Sequence, residues 1–209
     1  MSNPTREYAK IRGISALMHF TKRHNLASIL QRGLVTRDVL EGEDNFGALN
    51  DQYRHDHTSA VCLTIGFPNY KMFWSLRCAD ADTQWVVIAL SPRVLDELQC
   101  AFCATNAAAA RVSSIPLEDR VGLRAFQEMY ADQNGRSRAQ LGITDDLPTD
   151  PQAEVLVLQN IPPEYILGVS VQNATIKAEI ERAHPGLDVR VHEHMFSPRS
   201  DYGHWKPAA

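Results

Sequence analysis

Apolar positions along the chain fall into short runs separated by polar, turn-rich stretches. Trp85-Val86-Val87-Ile88-Ala89-Leu90 is the clearest run, apolar throughout and rich in β-branched side chains, as a strand covered on both faces would be. Leu17 to Phe20, Val61 to Ile65, Glu154 to Leu158, Ile166 to Val171 and Leu187 to His192 read as further strands. Elsewhere the period is helical. Leu26, Ile29 and Leu30 share one face of a helix from Asn25 to Gln31 that Gly33 closes. Shorter helices are expected near Arg6 to Arg12, after the Pro68-Asn69 turn, and over Val94 to Leu98 behind Ser91-Pro92. Ala107 to Ala110, Gly122 to Ala131 and Thr175 to Ala183 are helical by propensity. Two stretches follow neither period. Glu41 to Ser59 and Gln133 to Asp150 are polar and rich in turn residues, and the second reads as a mobile segment leading to Glu154. The mixture predicts an α+β fold, with residues 1–209 forming a single domain.

Composition narrows the classes. A chain of 209 residues with 44% hydrophobic content can bury one real core, which sets disorder aside. No run approaches the ~20 apolar residues of a membrane helix, and the opening Met1 to Glu7 lacks a signal peptide's apolar region, so a cytoplasmic protein without membrane association is expected. A net charge of -4 argues against a chain that coats nucleic acid. Residues 1–40 nevertheless hold seven Lys/Arg against two acids, leaving 14 against 23 elsewhere, so a local basic face is compatible with the total.

The residues most able to carry chemistry sit at the ends of apolar runs. Glu154 follows Asp150-Pro151-Gln152-Ala153 and opens a buried strand, where a carboxylate is costly unless something uses it. His19 lies inside the Leu17-to-Thr21 run, where the alternative is a satisfied core histidine with Asn25 capping the next helix. Cys100 and Cys103 have CxxC spacing, but no second ligand pair with zinc-finger spacing accompanies them, and they read as reduced, buried thiols. His55 and His57 lack carboxylate-rich neighbours, and no metal is expected. There is no Gly-x-Gly-x-x-Gly fingerprint for a hydride-transferring Rossmann domain.

Taken in order, several blocks resemble DarT-type DNA ADP-ribosyltransferases, toxins of bacterial toxin–antitoxin pairs with a role in phage defence. The blocks are His19-Phe20-Thr21 with Asn25-Leu26, Ile29-Leu30 and Gly33-Leu34; Val61-Cys62-Leu63 leading to Phe67-Pro68-Asn69-Tyr70; Phe126 to Tyr130; and Asp150 to Val157. The last, with Pro151-Gln152-Ala153-Glu154, is the most specific. The resemblance implies a split antiparallel β-sheet core with flanking helices that grips NAD as co-substrate, and a single-stranded DNA base as acceptor. It further implies a separate antitoxin, an ADP-ribosyl hydrolase, as partner of a monomeric enzyme.

Roles follow from the same resemblance. Glu154 would orient NAD, stabilise charge developing on the ribose and accept the base's proton, with Arg54 beside the reacting base and the phosphates. His19, Phe20, Thr21, Asn25 and Tyr70 would line the NAD site; for Tyr70, stacking on nicotinamide and core packing with Phe67, Met72, Phe73 and Trp74 are both open. Arg136 and Arg138 would contact DNA from a substrate loop around 133–150, Gln152 would contact the acceptor, and Tyr130, Tyr202 and Trp205 would offer rings for stacking, with Arg199 and Lys206 as further candidates. The Phe67-to-Tyr70 block looks more like the guanine-modifying than the thymine-modifying branch. The competing readings are an RNA 2'-phosphotransferase, a protein-directed ADP-ribosyltransferase, and a non-catalytic module that binds NAD or nucleic acid.

Overall fold

A computed structural model describes residues 3–43 and 59–206, and the expected strands all form. β1 (Leu17–Lys22), β2 (Val61–Ile65), β3 (Trp85–Leu90), β4 (Cys100–Cys103), β5 (Glu154–Val157), β6 (Ile166–Val171) and β7 (Val189–Val191) make one sheet in the order β4-β5-β2-β1-β3-β6-β7. All neighbours are antiparallel except β6 and β7. β3, the most apolar run, lies near the centre and pairs with β1 along six positions, from Leu17↔Leu90 to Lys22↔Trp85.

The sheet is joined weakly at one place. β1 and β2 pair only at Leu17↔Ile65 and Met18↔Thr64. Beyond Met18, β1 continues with β3, whereas β2 from Leu63 back to Val61 runs with β5. A seam therefore opens in the middle of the sheet, between the half formed by β1, β3, β6 and β7 and the half formed by β2, β5 and β4.

Helices cover the sheet. α1 (Pro4–Ile11), capped by Asn3, and α7 (Gly122–Glu128) contribute to the main core, where Phe126 stacks on Phe102 at 4.7 Å and meets Tyr8 edge-on at 5.1 Å. α2 (Leu26–Arg32) buries Leu26 and Ile29, while Leu30 is only partly covered. It ends at Gly33 with φ +81°, and there a Cβ would stand 2.0 Å from the Ile161 carbonyl oxygen, so the close Leu34↔Ile161 bridge requires glycine. On the opposite side, Phe20, Phe73, Trp85 and Phe196 form a second, aromatic core beneath α4 (Tyr70–Ala79). α5 (Val94–Glu97) follows β3, and α9 (Ala174–Ala183) packs beside β6 and β7.

Three expectations shift. The helix expected over Ala107 to Ala110 forms later, as α6 (Ala110–Ser113). The stretch expected to be loop from Glu41 begins inside α3 (Arg37–Gly42), and residues 44–58 lie outside those described. The stretch from Gln133 to Asp150, expected as a polar loop, carries regular structure. A Gln133↔Arg136 bridge precedes α8 (Arg138–Leu141), whose Ser137 and Gln140 form a capping box.

Candidate active site

Glu154 is buried at the first position of β5, with Cys103 of β4 opposite it. Continuing the Leu63↔Val155 register by one step brings it level with Thr64, the last β2 residue paired with β1. Glu154 thus stands where the seam begins. Three donors converge on its carboxylate: the Ala107 N–H at 2.8 Å on Oε2, and the Asn106 and Asn69 amides, each at 3.4 Å, on Oε1. Asn69 can do this because its Oδ1 is occupied as the N-cap of α4, accepting from the Met72 N–H, which turns Nδ2 toward Glu154.

The residues before Glu154 form a closed turn. Asp150 accepts the Gln152 N–H on its side chain at 2.8 Å and the Ala153 N–H on its carbonyl at 3.0 Å, and Arg111 reaches its carboxylate at 3.4 Å. Gln152 remains partly exposed. One step upstream, Arg199 donates to the carbonyls of Pro148 and Thr149, each at 2.8 Å. Its guanidinium also forks onto Asp201, which accepts in turn from Trp205 Nε1 at 2.7 Å. Burial pushes the Asp201 carboxyl up, but the hydrogen bonds and charge of Arg199, with Trp205, outweigh it and hold the group below the usual carboxylate range. Arg199 is 4% exposed, which overturns its expected contact with DNA.

His19 faces the seam from β1. Its Nδ1 lies 2.9 Å from the Cys62 carbonyl oxygen of β2, bridging the two halves where the backbone ladder has stopped. A carbonyl can only accept, so Nδ1 carries the proton. Burial pushes the imidazole below its ordinary value, outweighing the opposing effect of the Cys62 bond. The neutral ring then leaves Nε2 as an acceptor, suited to a hydroxyl. Thr21, two residues on and so on the same face, is buried and accepts from the Asn25 amide at 3.0 Å. Asn25 occupies the N-cap position of α2 but its side chain makes no capping bond there, contrary to the simplest structural expectation. Phe20 points to the other face and stacks on Phe73 at 4.6 Å.

Tyr70 opens α4 next to Asn69, with its ring edge-on to Tyr202. Its hydroxyl is buried with no hydrogen-bond partner among the described residues. Burial, with a further push from the Asp201 charge, raises its pKa to about 12, so it stays a neutral donor. An unsatisfied buried hydroxyl costs about 1–3 kcal/mol, which a ligand acceptor would recover.

The expected DNA residues divide. Arg138 spends its guanidinium on the carbonyls of Thr144 at 2.9 Å and Leu147 at 2.7 Å and on Thr149 Oγ1 at 3.2 Å. Tyr130 is buried among Tyr8, Phe126 and Arg12, with its hydroxyl on the Asp146 carbonyl, so the ring is not open to a base. Both tie the 133–150 segment together. Arg136 is partly exposed and lies 5.1 Å over the Trp205 ring. Arg54, His55 and His57 lie outside the described residues. Cys100 and Cys103 are buried free thiols, and the described residues contain no cluster of three or more His, Cys, Asp or Glu suited to a metal. No described helix is long and apolar enough to cross a membrane.

The architecture and the chain match known proteins. A family model described as "ssDNA thymidine ADP-ribosyltransferase, DarT" matches residues 18–199. Among solved structures, a Thermosipho africanus DarTG in complex with ADP-ribose superposes with a TM-score of 0.56 at 17% identity, over 87% of this chain and 51% of that one. The present chain therefore spans about half the length of the Thermosipho protein. Thermus sp. 2.9 DarT in complex with NAD+ gives 0.52 at 12% identity over 87% of this chain and 97% of that chain. The same protein with ADP-ribosylated ssDNA gives 0.53 at 13% over 88% and 97%. At these identities the likeness establishes the fold. No curated protein sequence matches the chain.

Proposed function

Because the chain belongs to the DarT family of ssDNA ADP-ribosyltransferases, we propose that it transfers ADP-ribose from NAD to a base of single-stranded DNA. The observation that carries this reading is the position of Glu154, its carboxylate gripped by three donors where the sheet parts, with the neutral His19 across the opening. The residues suit NAD, whose ribose hydroxyls are donors for His19 Nε2 and whose polar edges can satisfy the orphaned Tyr70 hydroxyl. NAD supplies an activated ribose carrying nicotinamide as leaving group. Glu154, held rigidly, orients the ribose and stabilises the positive charge that develops as the glycosidic bond breaks. As the base nitrogen bonds to the ribose carbon it must shed a proton, and the same carboxylate accepts it. Gln152, partly exposed two residues earlier, faces the acceptor, and Arg54 serves beside the reacting base and the phosphates. Phe20, Thr21 and Asn25 shape the wall that carries His19, and the segment 133–150 borders the DNA.

Guanine is the proposed base, from the Phe67-to-Tyr70 block; the family description, which names thymidine, supports thymine as the second reading. Guanine offers an exocyclic amine, whereas thymine must give up a ring N–H. Purified protein incubated with NAD and four oligonucleotides, each lacking one base, separates these by intact mass. An ADP-ribose adduct lost only without guanine is the expected result, and loss only without thymine favours the second reading. Glu154→Gln, which keeps acceptor atoms for the surrounding donors, is expected to abolish the adduct with a nearly unchanged melting temperature; adducts at the wild-type rate would sink the mechanism. As a toxin the protein works as a monomer in the cytoplasm, with residues 1–209 acting as one ADP-ribosyltransferase domain and a separate ADP-ribosyl hydrolase as antitoxin, and growth arrest on expression, relieved by that partner, tests this.

A further inference from the structure

A cation-rich, aromatic surface runs outward from the Glu154 site over α4 and the C-terminal turns. Tyr70, whose neighbour Asn69 grips Glu154, meets Tyr202 edge-on at 5.9 Å, and Tyr202 is 41% exposed with Lys206 4.7 Å over its ring. Next to it the buried Trp205 ring seats two cations, Arg136 at 5.1 Å and Lys71 at 5.8 Å. Three residues after Lys71, and so on the same helix face, Trp74 is 56% exposed, with the Arg77 guanidinium 5.6 Å over it. α4 holds no acidic residue. The only acid in residues 197–206, Asp201, is buried and neutralised by Arg199. In a chain of net charge -4 this surface is locally cationic.

Two exposed aromatics alternating with cations are what a single strand needs, since bases stack on any ring face and the phosphates follow the positive charges. We propose that Tyr202, Lys206, Arg136, Lys71 and Trp74 form a track for the nucleotides flanking the target base, separate from the residues that act on the base itself. This deepens the DNA reading of the site and rests on it. The track makes affinity grow with strand length: a trinucleotide reaches only the reaction centre, whereas a longer strand also lies along α4.

Fluorescence anisotropy with a labelled trinucleotide and a labelled strand of about twelve nucleotides tests it, on the wild type, Trp74→Ala/Tyr202→Ala and Lys71→Gln/Lys206→Gln, all checked for unchanged melting. In the aromatic pair, Kd for the longer strand is expected to rise about tenfold or more with the trinucleotide unaffected. In the lysine pair, the slope of log Kd against log salt is expected to flatten by about 0.7 for each charge removed. Equal losses on both lengths, or unchanged binding of the longer strand, overturn the track. Strand binding without any ADP-ribose transfer from NAD would remove the enzymatic reading while leaving the track in place. Transfer that ignores strand length would remove the track alone.

Discussion

His19 shows how one hydrogen bond decides what a side chain can offer. Its proton is committed to the Cys62 carbonyl, so only the neutral ring presents an acceptor at Nε2, and protonation would turn that acceptor into a donor. Because burial lowers its folded pKa below the ordinary 6.5, the unfolded chain takes up the proton first as the pH falls. The stability this histidine contributes is thus complete above 6.5 and is lost as the pH drops through the lower folded value. NAD binding should fall on the acid side with a midpoint below 6.5, and His19→Gln, which cannot titrate, should bind more weakly and without that limb. Calorimetric Kd values across the range check this; an unchanged acid limb in His19→Gln would remove the role. Sequence pointed to His19 and Glu154 because each is a polar residue in an apolar run. Asn69 and Ala107, which hold Glu154, were not legible, since one reads as a turn residue and the other acts through its backbone.

At the scale of elements, strands were legible and their supports were not. β3, and β5 beyond Glu154, declare themselves by apolar runs, because burial on both faces leaves little room for polar residues. The 133–150 segment read as loop because its order comes from Arg138, Tyr130 and Arg199 bonding to backbone carbonyls, a pattern with no hydrophobic period. The C-terminal turn at Asp201 therefore helps set where β5 begins. Arg199→Met strands a buried aspartate and should cost about 3–5 kcal/mol in chemical denaturation. Arg199→Met with Asp201→Leu removes both charges and should recover most of that stability, yet transfer should stay slow because the Pro148 and Thr149 carbonyls remain unheld. Full activity in the double variant would show that the clamp supports the fold alone.

At the scale of the molecule, the sheet is two halves whose backbones meet at two residue pairs, over an apolar core that both halves share, with the candidate site at the join. Neither the join nor its narrowness can be read from hydrophobic pattern, since β1 and β2 look alike whether paired along two residues or six. Cooperativity in a sheet is carried by rungs, and a region with few rungs opens before the strands on either side. β1, β3 and β6 should accordingly exchange their amide protons as one unit and β2, β4 and β5 as another, with the rungs at Leu17 and Met18 opening first. Hydrogen exchange by mass spectrometry reads this directly, and uniform protection across the sheet would contradict it. A ligand that touches both halves spans the stretch where the backbone ladder is missing, and at a concentration a hundred times its Kd it raises the stability of the folded state as a whole by about 2.7 kcal/mol.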